Sequence, residues 1–186
     1  MTTARPDPVM GGTSGAASSS PAAPAAPPAG RYEIDVGRSS VTFRTRHLFG
    51  LAPVRGSFAI RAGTVEIAEP ISDSRIHAEI EASSFRTGNP MRDRSVRSAR
   101  LLDARRHSVI SFTSGRADGP ALPGTLTVRG VTRPVSLLVE QTAVSPKSFT
   151  ARGTARIDRA GFGVTAYRGL AGRYLELTVE VRCVRP

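Results

Sequence analysis

From residue 32 onward, the chain consists mostly of short runs in which apolar and polar side chains alternate. In one of these runs Val41 and Phe43 fall on one face of an extended strand, while Arg44 and Arg46 fall on the other. Runs with this alternation cover 41–47, 54–61, 75–82 and 175–183. This period-two pattern predicts antiparallel strands with one dry face and one wet face.

Other apolar runs extend the strand pattern through the rest of the chain. They cover 64–68, 108–115, 122–129, 133–143 and 148–158, and Gly and Pro residues separate them. Roughly eight strands at such short spacing favour an all-β sandwich or a closed barrel. The periodicity alone does not choose between these two architectures.

One segment, 89–106, breaks the alternation and predicts one or two short helices between strands. Asn89 is a good N-cap, Pro90 suits the first helical position, and Asp93 lies near the positive start of the helix. Apolar residues then recur every three positions. We therefore expect a short helical insertion in an otherwise all-β domain.

The first 30 residues differ from the rest and predict a disordered tail before a domain at 31–186. They are rich in Ala, Pro and Ser and show no periodicity. No Leu, Ile or Phe precedes Ile34, so the strongly apolar core of a secretory signal is missing. Cys183 is the only cysteine, which excludes an internal disulfide and suits a small buried hydrophobe. These features predict a cytoplasmic protein.

The chain carries a formal net charge of +11, almost all of it from arginine, since Lys147 is the only lysine. The predicted insertion is its most basic part, with seven arginines and two aspartates between Phe85 and His107. Such a charge attracts nucleic acid, anionic membranes or acidic metabolites, although uniform arginine usage also fits genome composition. The chain shows no nucleic-acid-binding motif and few aromatic residues for base stacking, so we expect no nucleic-acid partner.

Several motifs, in order along the chain, are similar to those of one known family. The clearest is Gly-Thr-Leu-Thr-Val-Arg-Gly-Val-Thr-Arg-Pro-Val at 124–135. The others lie at 32–35, 39–43, 46–48, 54–58, 83–89, 91–93, 97–98, 155–159 and 161–164. Together they make 32–184 resemble the YceI family of polyisoprenoid-binding, lipocalin-like proteins.

The resemblance implies an eight-stranded antiparallel barrel with a short helical insertion and an apolar tunnel. The tunnel would hold a long isoprenoid, of polyprenyl or quinone type, or a similar amphiphilic lipid, and the protein would act as its carrier, store or sensor. An eight-stranded barrel is wide enough for one slender ligand. The resemblance implies no cofactor. It leaves a homodimer open, and the basic insertion would allow transient contact with an anionic membrane.

The residues that we place around the tunnel or its cap are apolar or lie beside its mouth. They are Phe43, His47, Phe49, Phe58, Ile80, Met91, Arg92, Asp93, Leu101, Leu102, Phe112, Leu126, Leu137 and Phe162. His47 is in phase with Phe43 and would either bind a ligand's polar end or be a satisfied core histidine. Arg92 and Asp93 would contact a headgroup or form a structural ion pair at the helix start.

An enzyme is the main alternative, a hydrolase acting on a lipid ester or pyrophosphate. The sequence has no nucleophile elbow, no His-Glu-x-x-His motif, no phosphate loop and no cysteine pair. Three scattered histidines lack the short spacing of zinc ligands. We therefore predict a binding protein with no catalytic and no metal-binding residues. A basic surface binder of anionic membranes or nucleic acid is the second alternative.

Overall fold

The computed structural model describes residues 26–47 and 51–186 of the 186-residue chain. The strands are β1 (Gly30–Ile34), β2 (Ser40–His47), β3 (Ala52–Phe58), β4 (Ile60–Ile67), β5 (Arg75–Glu81), β6 (Val109–Ser114), β7 (Ala121–Val128), β8 (Val131–Ser145), β9 (Ser148–Asp158) and β10 (Tyr174–Val184). The helix α1 spans Pro90–Arg97, and short 3-10 turns cover Val36–Arg38, Ile71–Asp73, Ala82–Ser84 and Arg159–Phe162.

The strands form one antiparallel wall that closes on itself. β1 and β2 together occupy one position in this wall, β3 and β4 occupy the next, and β5 to β10 follow in chain order. β10 then pairs back with both β1, where Cys183 faces Ile34, and β2, where Leu177 faces Phe43. The structure is therefore an eight-stranded closed antiparallel barrel with one helix, which confirms the predicted fold class.

The alternation in the sequence sets which side chains face the barrel interior. In β2, Val41 and Phe43 are buried, whereas Arg44 and Arg46 are exposed. The buried side chains form three clusters that share Phe58 as a neighbour. Burial of one face of each strand supplies most of the hydrophobic stabilisation and fixes the register, because a one-residue slip would turn the apolar row outward.

The predicted insertion contains the single helix α1 in the described part of the chain. The side chain of Asn89 accepts a hydrogen bond from the backbone N–H of Arg92 at 3.1 Å, as an N-cap does. The helix ends at Arg97, and the following turns bring Leu101 and Leu102 into the interior. No helix of the described residues is long and apolar enough to span a membrane.

The barrel has two distinct ends. The helix end carries the insertion, the tight β7–β8 turn and the β9–β10 loop, 159–173. The opposite end is where β1 begins and β10 ends. There Pro27 is buried, and the hydroxyl of Tyr32 donates to the carbonyl of Pro28 at 2.8 Å.

The boundary of the tail also follows from this arrangement. Arg185 donates from Nη2 to the carbonyl of Ala29 at 2.8 Å, which holds 26–29 against the barrel. Gly30 already belongs to β1. The predicted tail, 1–30, thus includes a few residues that pack on the domain, while 1–25 lie outside the described residues.

Gly124 provides a test of how closely the wall is packed. A Cβ at this position would lie 2.5 Å from the carbonyl oxygen of Thr113 and 2.6 Å from Cζ of Phe112. Because the first neighbour is backbone, we expect Gly124→Ala to lower the free energy of unfolding by about 1–3 kcal/mol. Gly153→Ala is the matched control, since its new methyl would meet only Leu137 side-chain atoms at 3.9 Å. Chemical denaturation measures both, and equal losses would contradict this account.

Candidate functional site

A cavity of about 520 Å³ runs along the inside of the barrel. It extends from Ile71 and Ser74 at the opposite end to Arg92, Arg159 and Gly172 at the helix end. Aliphatic and aromatic side chains make up nearly all of its wall. The volume falls within the range of about 300–1,000 Å³ that is typical of ligand pockets.

Small side chains on β9 keep the middle of this tunnel open. The inward-facing row of β9 runs Phe149, Ala151, Gly153, Ala155 and Ile157. The two end residues are large and buried, whereas the three central ones project little or no side chain into the interior. On this strand the bulky side chains therefore lie near the two ends of the barrel, and the space between them is left unfilled.

Three aromatic rings crowd the tunnel beneath the insertion. Phe43 and Phe85 stack with ring centroids 5.3 Å apart, and Phe58 meets Phe85 edge-on at 5.3 Å. Leu102 from the insertion completes this cluster. Such ring pairs add about 0.5–1.5 kcal/mol each beyond their burial, so they anchor the insertion over the barrel.

Arg92 and Asp93 both organise Thr87 at the helix end. Oδ1 of Asp93 accepts from the backbone N–H of Thr87 at 2.9 Å and from its hydroxyl at 2.6 Å. Nε of Arg92 donates to the same hydroxyl oxygen at 2.7 Å. Arg92 lines the tunnel, and within the described part of the chain its Nη1 has no hydrogen-bond partner.

Arg159 holds the β9–β10 loop in shape over the other side of the tunnel mouth. Its guanidinium donates to the carbonyls of Gly172 at 2.7 Å, Val164 at 2.6 Å, Ala166 at 2.9 Å and Ala171 at 3.1 Å. Four backbone carbonyls of one loop thus converge on one half-buried cation. These bonds tie 164–166 to 171–172 and add to the backbone hydrogen bonds of the loop, such as the one from the N–H of Ala171 to the carbonyl of Tyr167 at 2.8 Å.

Burial lowers the pKa of the Arg159 guanidinium from its ordinary value. Asp158 acts in the opposite direction, and the like charge of Arg168 adds to the lowering. A guanidinium stays protonated in proteins, so Arg159 places a positive charge at the tunnel mouth.

Ten of the predicted site residues that the structure describes line this tunnel. They are Phe43, Phe58, Ile80, Arg92, Leu101, Leu102, Phe112, Leu126, Leu137 and Phe162. Their contact with a ligand stays a prediction. Phe49 lies outside the described residues, and so does the side chain of His47, whose backbone belongs to β2.

Met91 and Asp93 are not among the residues that line the tunnel, and their contact with a ligand stays a prediction. Met91 is 84% exposed, whereas Asp93 is buried beneath the insertion on Thr87. Residues two apart in a helix point about 200° apart, so burial of Asp93 turns Met91 to solvent. The exposed methionine is therefore a surface feature of the helix end.

Sequence reasoning missed two residues that shape the site. Phe85 is buried against Phe43 but follows a 3-10 turn, so it belongs to no alternating run. Arg159 begins a 3-10 turn, and although it ends the motif at 155–159, nothing in that motif indicates which groups its side chain binds. The aliphatic wall of the tunnel can be predicted from the sequence, because residues such as Leu175 and Leu177 alternate in phase with the buried face.

The thiol of Cys183 lies in the tunnel wall, and its ionisation depends on burial. The residue is fully buried beside Tyr32 and Phe149, and burial raises the pKa of its thiol from 9.0 to about 12. Between these values the unfolded chain loses the proton and the folded chain keeps it. Stability is therefore lost as the pH rises above about 9, by up to about 1.4 kcal/mol per pH unit.

We expect this loss to be specific to the thiol. The free energy of unfolding, measured under reducing conditions from about pH 8 to pH 11, should fall more steeply for the wild type than for Cys183→Ala. The folded protein should also resist thiol reagents at neutral pH, since the reactive thiolate is absent. Parallel stability curves for the two proteins would refute the buried-thiol account.

Comparison with known proteins gives a consistent result. The family model of the YceI-like domain matches residues 32–183. A UPF0312 protein of Pectobacterium atrosepticum is 31% identical over 158 residues, which cover 78% of this chain and 80% of that protein. A UPF0312 protein of Vibrio parahaemolyticus is 26% identical over 168 residues, covering 82% of this chain and 87% of that protein.

Solved structures share the fold. A polyisoprenoid-binding domain from Saccharophagus degradans superposes with a TM-score of 0.68 at 15% identity, covering 83% of this chain and 98% of that one. BcnA of Burkholderia cenocepacia gives a TM-score of 0.66 at 20% identity, with coverages of 80% and 98%. The family match spans the whole barrel from β1 to β10, including the insertion. The chain therefore belongs to the YceI-like domain family.

Proposed function

We propose that this protein binds a long-chain isoprenoid or a similar amphiphilic lipid, as a carrier, store or sensor, and performs no catalysis. The observation that carries the proposal is the apolar tunnel of about 520 Å³ inside the barrel. The polyisoprenoid-binding domain from Saccharophagus degradans has the same fold and supports this assignment.

An apolar chain is the occupant that suits the tunnel wall. Side chains around an empty apolar space lack contact partners on one side, and a bound chain would restore those contacts. Each buried CH₂ contributes about 0.8 kcal/mol, so a few isoprene units would supply roughly 10 kcal/mol before the costs of association. Arg92 and Arg159 lie at one end only, so the polar head of the lipid would sit at the helix end.

Filling the middle of the tunnel tests this proposal. Ala155 faces inward on β9, and we expect Ala155→Phe to abolish lipid binding because the ring would occupy the space of the chain. Native mass spectrometry of the gently purified protein, followed by organic extraction, measures the bound lipid. A ligand that binds the folded state should also raise the Tm of the wild type.

Ala62→Phe is the matched control, because Ala62 is exposed on β4. The proposal expects stoichiometric lipid in the wild type and in this control, and none in Ala155→Phe. A wild-type protein that stays free of lipid after incubation with polyprenyl phosphates and quinones would refute it.

We also propose that the helix end contacts an anionic membrane transiently while the lipid is exchanged. Leu51, Met91 and Leu170 are exposed there by 83%, 84% and 45%. They lie near the arginine-rich insertion, and apolar side chains within a basic surface favour binding to anionic bilayers. This arrangement would bring the tunnel mouth to the source of the lipid.

Charged replacements at this end test the membrane contact. We expect Leu51→Asp combined with Met91→Asp to weaken binding to vesicles containing phosphatidylglycerol several-fold, since each change adds a negative charge and removes apolar surface. Ile71→Asp is the control, because Ile71 is 49% exposed at the opposite end. Sedimentation with the vesicles measures binding. Equal binding by all the variants would contradict the proposed orientation.

A further inference from the structure

A groove of about 940 Å³ lies on the outside of the barrel at the helix end, between the outer wall and the β9–β10 loop. Residues of β2, β3, β9 and β10 form one side of it, and residues within 160–173 form the other. The described residues that line it include seven arginines and one acidic residue, Glu176. We call it the arginine groove, and its lining carries a large excess of positive charge.

The arginine groove is separate from the tunnel. Residues such as Thr45, Val54 and Gly172 belong to both linings, so they form the partition between the two cavities. This partition is closely packed, because a Cβ on Gly172 would clash with Thr45 and with the backbone of Arg46. Oγ1 of Thr45 also donates to the carbonyl of Tyr174 at 2.7 Å. A ligand of the groove therefore lies outside the barrel, whatever the tunnel holds.

Strand register places arginines side by side on the wall of the groove. Arg55 of β3 lies opposite Arg44 of β2. Arg44 in turn lies opposite Glu176 of β10, and Glu176 lies opposite Arg156 of β9. The row thus contains three guanidiniums and one carboxylate. Like charges directly opposite each other destabilise a sheet, so a bound anion would relieve the repulsion between Arg55 and Arg44.

The carboxylates beside the groove already have arginine partners. Asp158 accepts from Nη2 and Nε of Arg173 at 2.7 and 3.0 Å. Oε1 of Glu176 lies 3.4 Å from Nε of Arg156. These two pairs use the acidic groups that lie nearest to the remaining arginines of the groove.

Three arginines of the groove are left without acidic partners. Within the described part of the chain, Arg44, Arg55 and Arg168 form no salt bridge. Two of them lie on the wall and the third lies on the loop, so their charges border the groove on two sides. A cleft lined by one sign of charge concentrates ions of the opposite sign, so the groove favours an anionic ligand.

The spacing of the wall arginines indicates a ligand with several anionic groups. Neighbouring strands lie about 4.8 Å apart, so the row from Arg55 on β3 to Arg156 on β9 covers about 14 Å. A single phosphate or carboxylate would meet only part of this row. In an extended peptide, alternate side chains point the same way at intervals of about 7 Å, so acids at alternate positions match its length.

Two other kinds of anionic partner fit the groove less well. Proteins that bind single-stranded nucleic acid combine a basic groove with aromatic rings on which the bases stack. Among the described residues that line this groove, Tyr174 is the only aromatic one, and Arg156 and Arg173 lie over its ring at 4.1 and 5.3 Å. A bilayer surface is flat on this scale, so it would meet the convex parts of the helix end and not guanidiniums between a loop and a wall.

We propose that the arginine groove docks an extended acidic segment of a partner protein, with Asp or Glu at alternate positions. The carboxylates of this segment pair with Arg44 and Arg55 on the wall and with Arg168 on the loop, because guanidinium and carboxylate groups match each other with paired hydrogen bonds. The groove thus gives the barrel a protein partner on its outer surface, and this inference does not depend on what the tunnel binds.

Fluorescence anisotropy with a labelled peptide of alternating Glu and Ser residues tests the proposal, with a peptide of alternating Gln and Ser as its uncharged reference. At about 0.15 M salt, where long-range attraction is screened, the wild type should bind the Glu peptide about tenfold or more tightly than the Gln peptide. Arg55→Gln combined with Arg168→Gln should weaken binding of the Glu peptide about fivefold or more, because it removes guanidiniums from both sides of the groove. Both arginines are exposed, so the fold should persist.

The control variant, Arg31→Gln combined with Arg75→Gln, removes the same charge from exposed positions at the opposite end of the barrel. It should bind the Glu peptide as tightly as the wild type does. Equal weakening in the two variants overturns the inference, since net charge alone would then explain the binding. Equal affinity of the wild type for the two peptides also overturns it.

Single-stranded oligothymidylate and vesicles containing phosphatidylglycerol are the competing probes. The groove variant and the control variant should bind each of these probes equally, because neither probe uses the groove. A groove variant that loses either probe by a larger factor than it loses the Glu peptide would assign the groove to that partner and overturn the inference.

Discussion

The pairing of β10 with two separate partners is the constraint on which the rest of the structure depends. On one side β10 pairs along its whole length with β9, and on the other it pairs first with β2 and then with β1. The 3-10 turn Val36–Arg38 joins β1 to β2, so that these two strands together form one bent position of the wall. A closed wall has no free edge, so its backbone groups are satisfied and its interior can remain apolar.

A closed barrel of this size could have a filled core, and it contains a tunnel here because some of its inward-facing side chains are small. Interiors are normally close-packed, and a barrel of eight strands can be filled by its own side chains. Here the small residues of β9 face a space that the larger residues of neighbouring strands do not cross. The interior thus gives up packing contacts that a protein selected only for stability would keep.

The sequence predicts the wall better than the site. Period-two alternation identifies strands such as β2 and β10 because each has one buried face, and the N-cap at Asn89 is a local signal that the structure confirms. The choice of a barrel over a sandwich required the family resemblance, because closure is a property of pairing between distant segments. The sequence does not show which side of α1 faces the barrel, so the exposure of Met91 follows only from the structure.

Residues of the site escape prediction when their role depends on a loop. Nothing local marks Arg159 as the residue on which four carbonyls converge, and Phe85 enters the core from a turn. The direction of a loop side chain is set by contacts with elements far away in sequence. The alternation of apolar and polar residues therefore predicts the tunnel wall, whereas the residues at the tunnel mouth are identified only from the structure.

Charged side chains are distributed unevenly between the wall of the barrel and its helix end. Along the outer wall, cross-strand pairs bring arginine close to glutamate, as at Arg152–Glu180 and Arg61–Glu79. At the helix end this balance fails, because the insertion has seven arginines and two aspartates and one of the latter is engaged by Thr87. Genome-wide arginine usage explains a high total charge but not its excess at one end of the barrel. At the helix end the apolar tunnel is therefore bordered by the cationic side chains of Arg92 and Arg159.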